Sequence, residues 1–127
     1  STALAEDPAA RLAAARAAEL RSQAERHLRK AQVLAAGGFP EEVAALITQS
    51  IGHAAAARLA LLGELAANQA NATSAQICDL VARSELSAEA TDMVNSLSAI
   101  TAPSVEDAER LLAAAADIVS ACTRSAL

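Results

Sequence analysis

His27 and His53 are the only imidazoles in this chain, and imidazole is the side chain whose charge changes near neutral pH. On a helical wheel that steps about 100° per residue from Leu20, His27 falls within about 60° of an apolar stripe made by Leu20, Ala24, Ala31, Leu34 and Ala35. There it would be a buried acid–base group or a metal ligand, or, as the preferred reading, a boundary histidine whose ring nitrogen finds a neighbouring partner. Arg21 and His27 also stand in an Arg-x5-His spacing. No catalytic residue is expected; Arg21 and His27 are candidates only through the family resemblance given below. Arg58 borders the apolar face of its own helix and is expected to form a structural salt bridge with Glu64 or with an acid from another helix.

The remaining reactive side chains point away from catalysis. Glu41-Glu42 and Glu106-Asp107 occupy first turns, where the positive end of the helix dipole favours acids. Neither pair has the Glu-x-x-His spacing of bundle di-metal sites, so no metal and no cofactor is expected. The sequence holds no Gly-x-x-x-x-Gly-Lys-Ser/Thr loop, no Gly-x-Ser-x-Gly elbow and no cysteine set beside a histidine and an acid. Cys78 and Cys122 lie far outside any metal or redox spacing and are expected to be free, buried thiols.

Positioning these groups falls to helices. Asp7-Pro8 supplies an N-cap and a first-turn proline, and Gly37-Gly38 a stop, which predicts a helix of about 29 residues, near 43 Å long. Pro40 with Glu41-Glu42 opens a second helix expected to run to about Ala67. On it Val43, Ile47, Ser50, Ala54, Ala57, Leu61 and Leu65 share one face, with Gly52 opposite. The short connection predicts that these two form an antiparallel hairpin. Thr73-Ser74-Ala75-Gln76 fits a capping box, with Ile77, Leu80 and Val81 behind it. A break at Ser84–Ser87 leaves two readings for residues 74–100, one helix or two. Thr101-Ala102-Pro103 ends this segment, and Ser104 caps a last helix on which Val105, Leu112 and Val119 recur by sevens beside Leu111, Ile118, Ala108, Ala115 and Cys122. The expected fold is an all-α, four- to five-helix up-down bundle built on the long hairpin, with residues 1–127 as one domain.

Composition bounds the function. The 127 residues include 37 alanines and 29 bulky apolar side chains, with one Phe and no Tyr or Trp. The core must be thin, and aromatic platforms for stacking nucleic-acid bases are missing. The net charge is −5, which opposes whole-surface attraction to nucleic acid or anionic lipid. The segment up to Ala36 carries +2 and the remainder −7. The cations of the first helix spread around its exposed arc without forming a phosphate track. Many alanines fall off the apolar stripes, giving small, smooth outer faces suited to docking. No signal peptide opens the chain and no apolar run approaches the roughly 18 residues that cross a bilayer, so a cytoplasmic setting without membrane contact is expected. Asn71-Ala72-Thr73 is then a chance match to a glycosylation acceptor. A start at Ser1 instead of Met suggests a piece of a longer protein.

The stretch from Ala24 to Val43, read as Ala24-x3-Leu28-x2-Ala31-x2-Leu34 closing on Gly37-Gly38-Phe39-Pro40, continues into Ile51-Gly52-His53-Ala54-Ala55-Ala56-Ala57-Arg58-Leu59-Ala60-Leu61-Leu62-Gly63. It resembles HEPN-type helical bundles, whose ribonucleases carry an Arg-x4-6-His signature. It also looks like the alanine-rich C-terminal helical domain of bacterial Swi/Snf-type superfamily-two helicases. HEPN ribonucleases place that signature late in the bundle, whereas this chain has no histidine after His53, so the resemblance implies the fold and not the cleavage. The expected function is a non-catalytic accessory or interaction domain of a larger protein, an ATP-dependent nucleic-acid helicase. Its partners would be the rest of that protein or another subunit, with nucleic acid reached only indirectly. The alternatives are a HEPN-like ribonuclease or toxin component using Arg21 and His27, and a self-associating bundle, a homodimer whose alanine faces a second copy completes.

Overall fold

The computed structural model describes residues 7–100 and 103–124. Helix α1 is Pro8–Ala36, 29 residues, capped by the Asp7 carboxylate, which accepts the Ala9 amide at 3.1 Å. It ends where Gly38 turns to φ 87° and the Phe39 and Gly38 amides donate back to the carbonyls of Leu34 and Ala35 at 2.8 and 3.2 Å. This double bond is the Schellman closure that a left-handed residue permits. One 3₁₀ turn, Pro40–Glu42, leads into α2, Val43–Leu61.

Helix α2 stops short of the expected Ala67. Gly63 adopts φ 72°, and the Glu64 and Gly63 amides return to Leu59 and Ala60 at 2.9 and 3.1 Å. The same closure that ended α1 therefore ends α2, and residues 64–73 become a loop. Thr73 then caps α3, Ser74–Ala82, in a full capping box: its hydroxyl accepts the Gln76 amide while the Gln76 side chain accepts the Thr73 amide. A third closure follows, this time on Ser84 at φ 61°, with Glu85 and Ser84 amides bonded to Leu80 and Val81. Residues 74–100 thus form two helices. Helix α4, Glu89–Ala99, starts beneath the Ser87 hydroxyl. Helix α5, Val105–Arg124, starts at Ser104, whose hydroxyl accepts the Asp107 amide at 3.1 Å. Thr101 and Ala102, expected to end α4, lie outside the described residues.

The architecture is the expected all-α bundle built on a long antiparallel hairpin. Helices α1, α2 and α5 pack mutually, and the short α3 and α4 close the remaining side. The stripe of α1 buries Ala17, Leu20, Ala24, Leu28, Ala31 and Ala35. The reading of α2 as one-faced holds for its first half, where Ala45, Thr48 and Gln49 stay exposed, and is corrected from Ser50 onward, where the helix buries Ile51, Gly52, Ala54 to Ala57, Leu59 and Ala60 besides Ser50 itself. A helix segment apolar on nearly all sides belongs inside, so the off-stripe Ala55 and Ala56 line interior seams and not an outer face. Two smaller corrections concern α5 and the thiols. Val105, at the first turn of α5, is 40% exposed, because the heptad begins before the helix reaches the core. Neither cysteine is in a disulfide, but only Cys122 is buried; Cys78 faces solvent on α3. Among the described residues no helix is long and apolar enough to cross a membrane.

A left-handed conformation costs a residue with a Cβ about 1–2 kcal/mol, part of which glycine loses again to its freer unfolded chain. Replacing Ser84 by glycine should raise stability by about 0.5–1 kcal/mol, read as a higher urea midpoint at unchanged slope. An unchanged or lower midpoint would remove the strain assigned to this closure.

Candidate functional site

The two imidazoles meet. His27 on α1 and His53 on α2 stack with ring centroids 5.0 Å apart and planes inclined by 12°. His53 Nδ1 lies 2.7 Å from the Ala70 carbonyl, which ties the ring to the loop after α2. His27 Nδ1 is buried with no hydrogen-bond partner among the described residues. A bare ring nitrogen tolerates such a place, but a protonated one would bury an N–H without an acceptor. Burial, followed by the neighbouring His53, Lys30 and Arg26, holds His27 below its ordinary value of 6.5.

Loop 64–73 is fastened over this pair. Arg16 of α1 brings its Nη2 within 2.5, 3.0 and 2.7 Å of the carbonyls of Ala66, Ala67 and Gln69. The Gln69 amide bonds the Asn71 carbonyl and the Gln76 side chain at 3.0 and 2.6 Å, joining the loop to the capping box of α3. The Ala72 amide donates to the Gly52 carbonyl at 3.0 Å, and the Asn71 side chain fills the space beside Gly52. A Cβ at that glycine would stand 1.6 Å from Asn71 Oδ1. Gly52, placed opposite the apolar face in the sequence, is the notch that admits the loop.

Arg21 is not in this cluster. It precedes His27 by six residues, about 9 Å along the helix and about 120° around it, and its charge acts instead on Cys122 of α5. The structure therefore joins His27 to His53 and separates it from Arg21. Cys122 donates its S–H to the Ala54 carbonyl at 3.1 Å, and burial pushes its thiol up to about 11 against the pull of Arg58 and Arg21. That thiol is a core group, since nucleophilic cysteines require a depressed value. Arg58 pairs with both oxygens of Glu85 at 3.0 Å, with each side chain mostly buried. Glu64, the other acid considered for it, is bound by Arg83 at 2.7 and 2.8 Å. Among the described residues no group of three or more His, Cys, Asp or Glu is placed to hold a metal ion.

The surface feature that composition did not reveal is a groove between the second half of α1 and the start of α2. It encloses about 980 Å³. Val33, Leu34, Ala45 and Leu46 supply apolar surface, Arg26, Arg29 and Lys30 the cations, and Glu41 and Glu42 the carboxylates. Val33 is 71% exposed, and Phe39, at the hairpin turn, is 51% exposed. The signal was available: Val33 lies about 140° from Leu20 on the wheel, far off the stripe and in the same arc as Arg26, Arg29 and Lys30. No protein family, curated protein or solved structure matches this chain.

Two measurements follow from the histidine stack and its loop. His27 is held below 6.5 in the fold, so as pH falls through that value the unfolded chain binds the proton first and folding weakens. Stability should be full above about pH 7.5 and decline towards pH 5.5, and His27→Gln should flatten that decline; an equal slope in the variant would remove His27 as its source. Gly52→Ala should lower stability by about 1 kcal/mol, the overpacking cost exceeding the gain in helix propensity. In an Asn71→Ala background the same change should be neutral or stabilising, and a loss of equal size there would refute the notch.

Proposed function

We propose that this chain is a non-catalytic helical interaction domain whose working surface is the α1–α2 groove. One observation carries the reading: Val33 stands largely exposed in a groove that has cations contributed by α1 and carboxylates contributed by the turn into α2. Pockets that hold small molecules bury most of the ligand, and an open floor bearing an exposed valine suits a macromolecular face instead. The partner surface is an apolar strip with an acidic edge to meet Arg26, Arg29 and Lys30 and a basic edge to meet Glu41 and Glu42. The side chains available for catalysis support the same reading from the other direction. His27 is engaged by a second imidazole, and the Cys122 thiol, within reach of the Arg21 charge, is held protonated by burial.

On the sequence resemblance to Swi/Snf-type helicase tails, the larger protein would be a cytoplasmic ATP-dependent helicase, with nucleic acid reached through the motor. The net charge of −5 favours that indirect route over contact by this domain.

Lys30 is the only lysine in the chain and lies in the groove, so amine acylation reports on this surface directly. In the complete reading frame, Lys30 should acylate several-fold more slowly than in the urea-unfolded chain. Labelling equally fast in the two would overturn the interaction reading. Incubating the chain with RNA should leave it intact; cleavage that disappears in His27→Ala would replace this function with ribonuclease activity.

A further inference from the structure

We infer that the partner seated in the groove is a second copy of this chain, paired about a two-fold axis. The inference rests on the interaction reading above and names its partner. A patch with a cationic side and an anionic side is electrostatically matched by itself. A two-fold axis crossing the floor perpendicular to the line between the sides exchanges them. Arg26, Arg29 and Lys30 of one copy then face Glu41 and Glu42 of the other, and the same pairing recurs on the far side of the axis. Such isologous contacts are the commonest way in which soluble chains self-associate.

The apolar residues agree with this placement. Val33 is 71% exposed and lies in the groove with Leu34 and Leu46, so the two floors cover each other while the charged sides close around them. Phe39, 51% exposed at the hairpin turn, extends the apolar surface at one end. The charges decide orientation. The opposite two-fold, with its axis along the line between the sides, would set cations over cations and carboxylates over carboxylates, and like charges facing each other oppose association. Only one of the two simple symmetric pairings is therefore open to this surface.

The test uses two variants of the full chain. Arg29→Glu with Lys30→Glu gives both sides of the groove a net negative charge, and Glu41→Lys with Glu42→Lys makes both basic. Sedimentation over a micromolar concentration range should show the unaltered chain in monomer–dimer equilibrium. Each variant alone should associate at least about tenfold more weakly. Mixed in equal amounts, the two should form a one-to-one heterodimer, because a groove of net negative charge on both sides faces an all-basic one. Circular dichroism confirms that each variant is folded, and the exposed positions on α1 keep the first variant informative if the second loses helix. Three results overturn the inference: a monomer at every concentration, dimers indifferent to both reversals, or no heterodimer from folded variants. Acylation of Lys30 in the unaltered chain separates this failure from failure of the interaction reading. Slow labelling only in the complete reading frame assigns the groove to a different surface and overturns the second copy alone. Labelling in both settings as fast as in the urea-unfolded chain overturns both readings.

Discussion

The bundle depends on how closely α1 and α2 approach. Along their seam Ala17 of α1 clusters with Ala56, Ala57 and Ala60 of α2, Leu20 being the one bulky member of the buried set. Side chains of this size let the two backbones come near enough for the Ser50 hydroxyl to donate to the Ala24 carbonyl at 2.6 Å, fully buried. Helices with larger residues at the seam would sit further apart within the usual range of about 8–10 Å. Close approach explains how 29 bulky apolar side chains suffice: Ile47, Ile51, Leu80 and Ile118 fill the space where α2 meets α5 and the short helices, and methyl groups fill the rest. It also brings His27 and His53 into contact, since stacking across the hairpin needs both rings to span a narrow gap.

Much of this was legible in the residues themselves. Asp7-Pro8 and Gly37-Gly38 set the limits of α1 to the residue, and Thr73 to Gln76 formed the capping box their spacing implied. What escaped was governed by tertiary context. Gly63 is a single glycine in good helix-forming sequence, and only its left-handed φ shows that α2 stops there. The serine at position 84 makes the same closure without the residue type that usually signals it. The burial of the second half of α2 on nearly all sides could not come from periodicity, because alanine reads alike on a buried and an exposed face.

The candidate chemistry shows a different kind of gap. Arg21 and His27 were paired by spacing alone, but a helix turns neighbours six residues apart to different sides, and the partners that matter, His53 and Cys122, are distant in sequence. Arg58 found a carboxylate as expected, from the loop before α4 and not from the nearer Glu64. No local rule in the sequence marks the groove, because Glu41 and Glu42 satisfy the first-turn rule and the cations of α1, taken together, spread around the helix. Taken without Arg11 and Arg21, those at 26, 29 and 30 gather beside Val33. Groups that satisfy a local rule can also serve a surface.

The alanine seam has a thermal consequence. The heat capacity gained on unfolding comes chiefly from newly exposed apolar area, and an alanine contributes far less of it than a leucine in the same place. A bundle held by close backbone approach and many methyl groups therefore unfolds with a small heat-capacity increment for its length. Its stability varies with temperature along a shallow, broad arc, so cold weakens it little and the hairpin keeps its register across a wide thermal range.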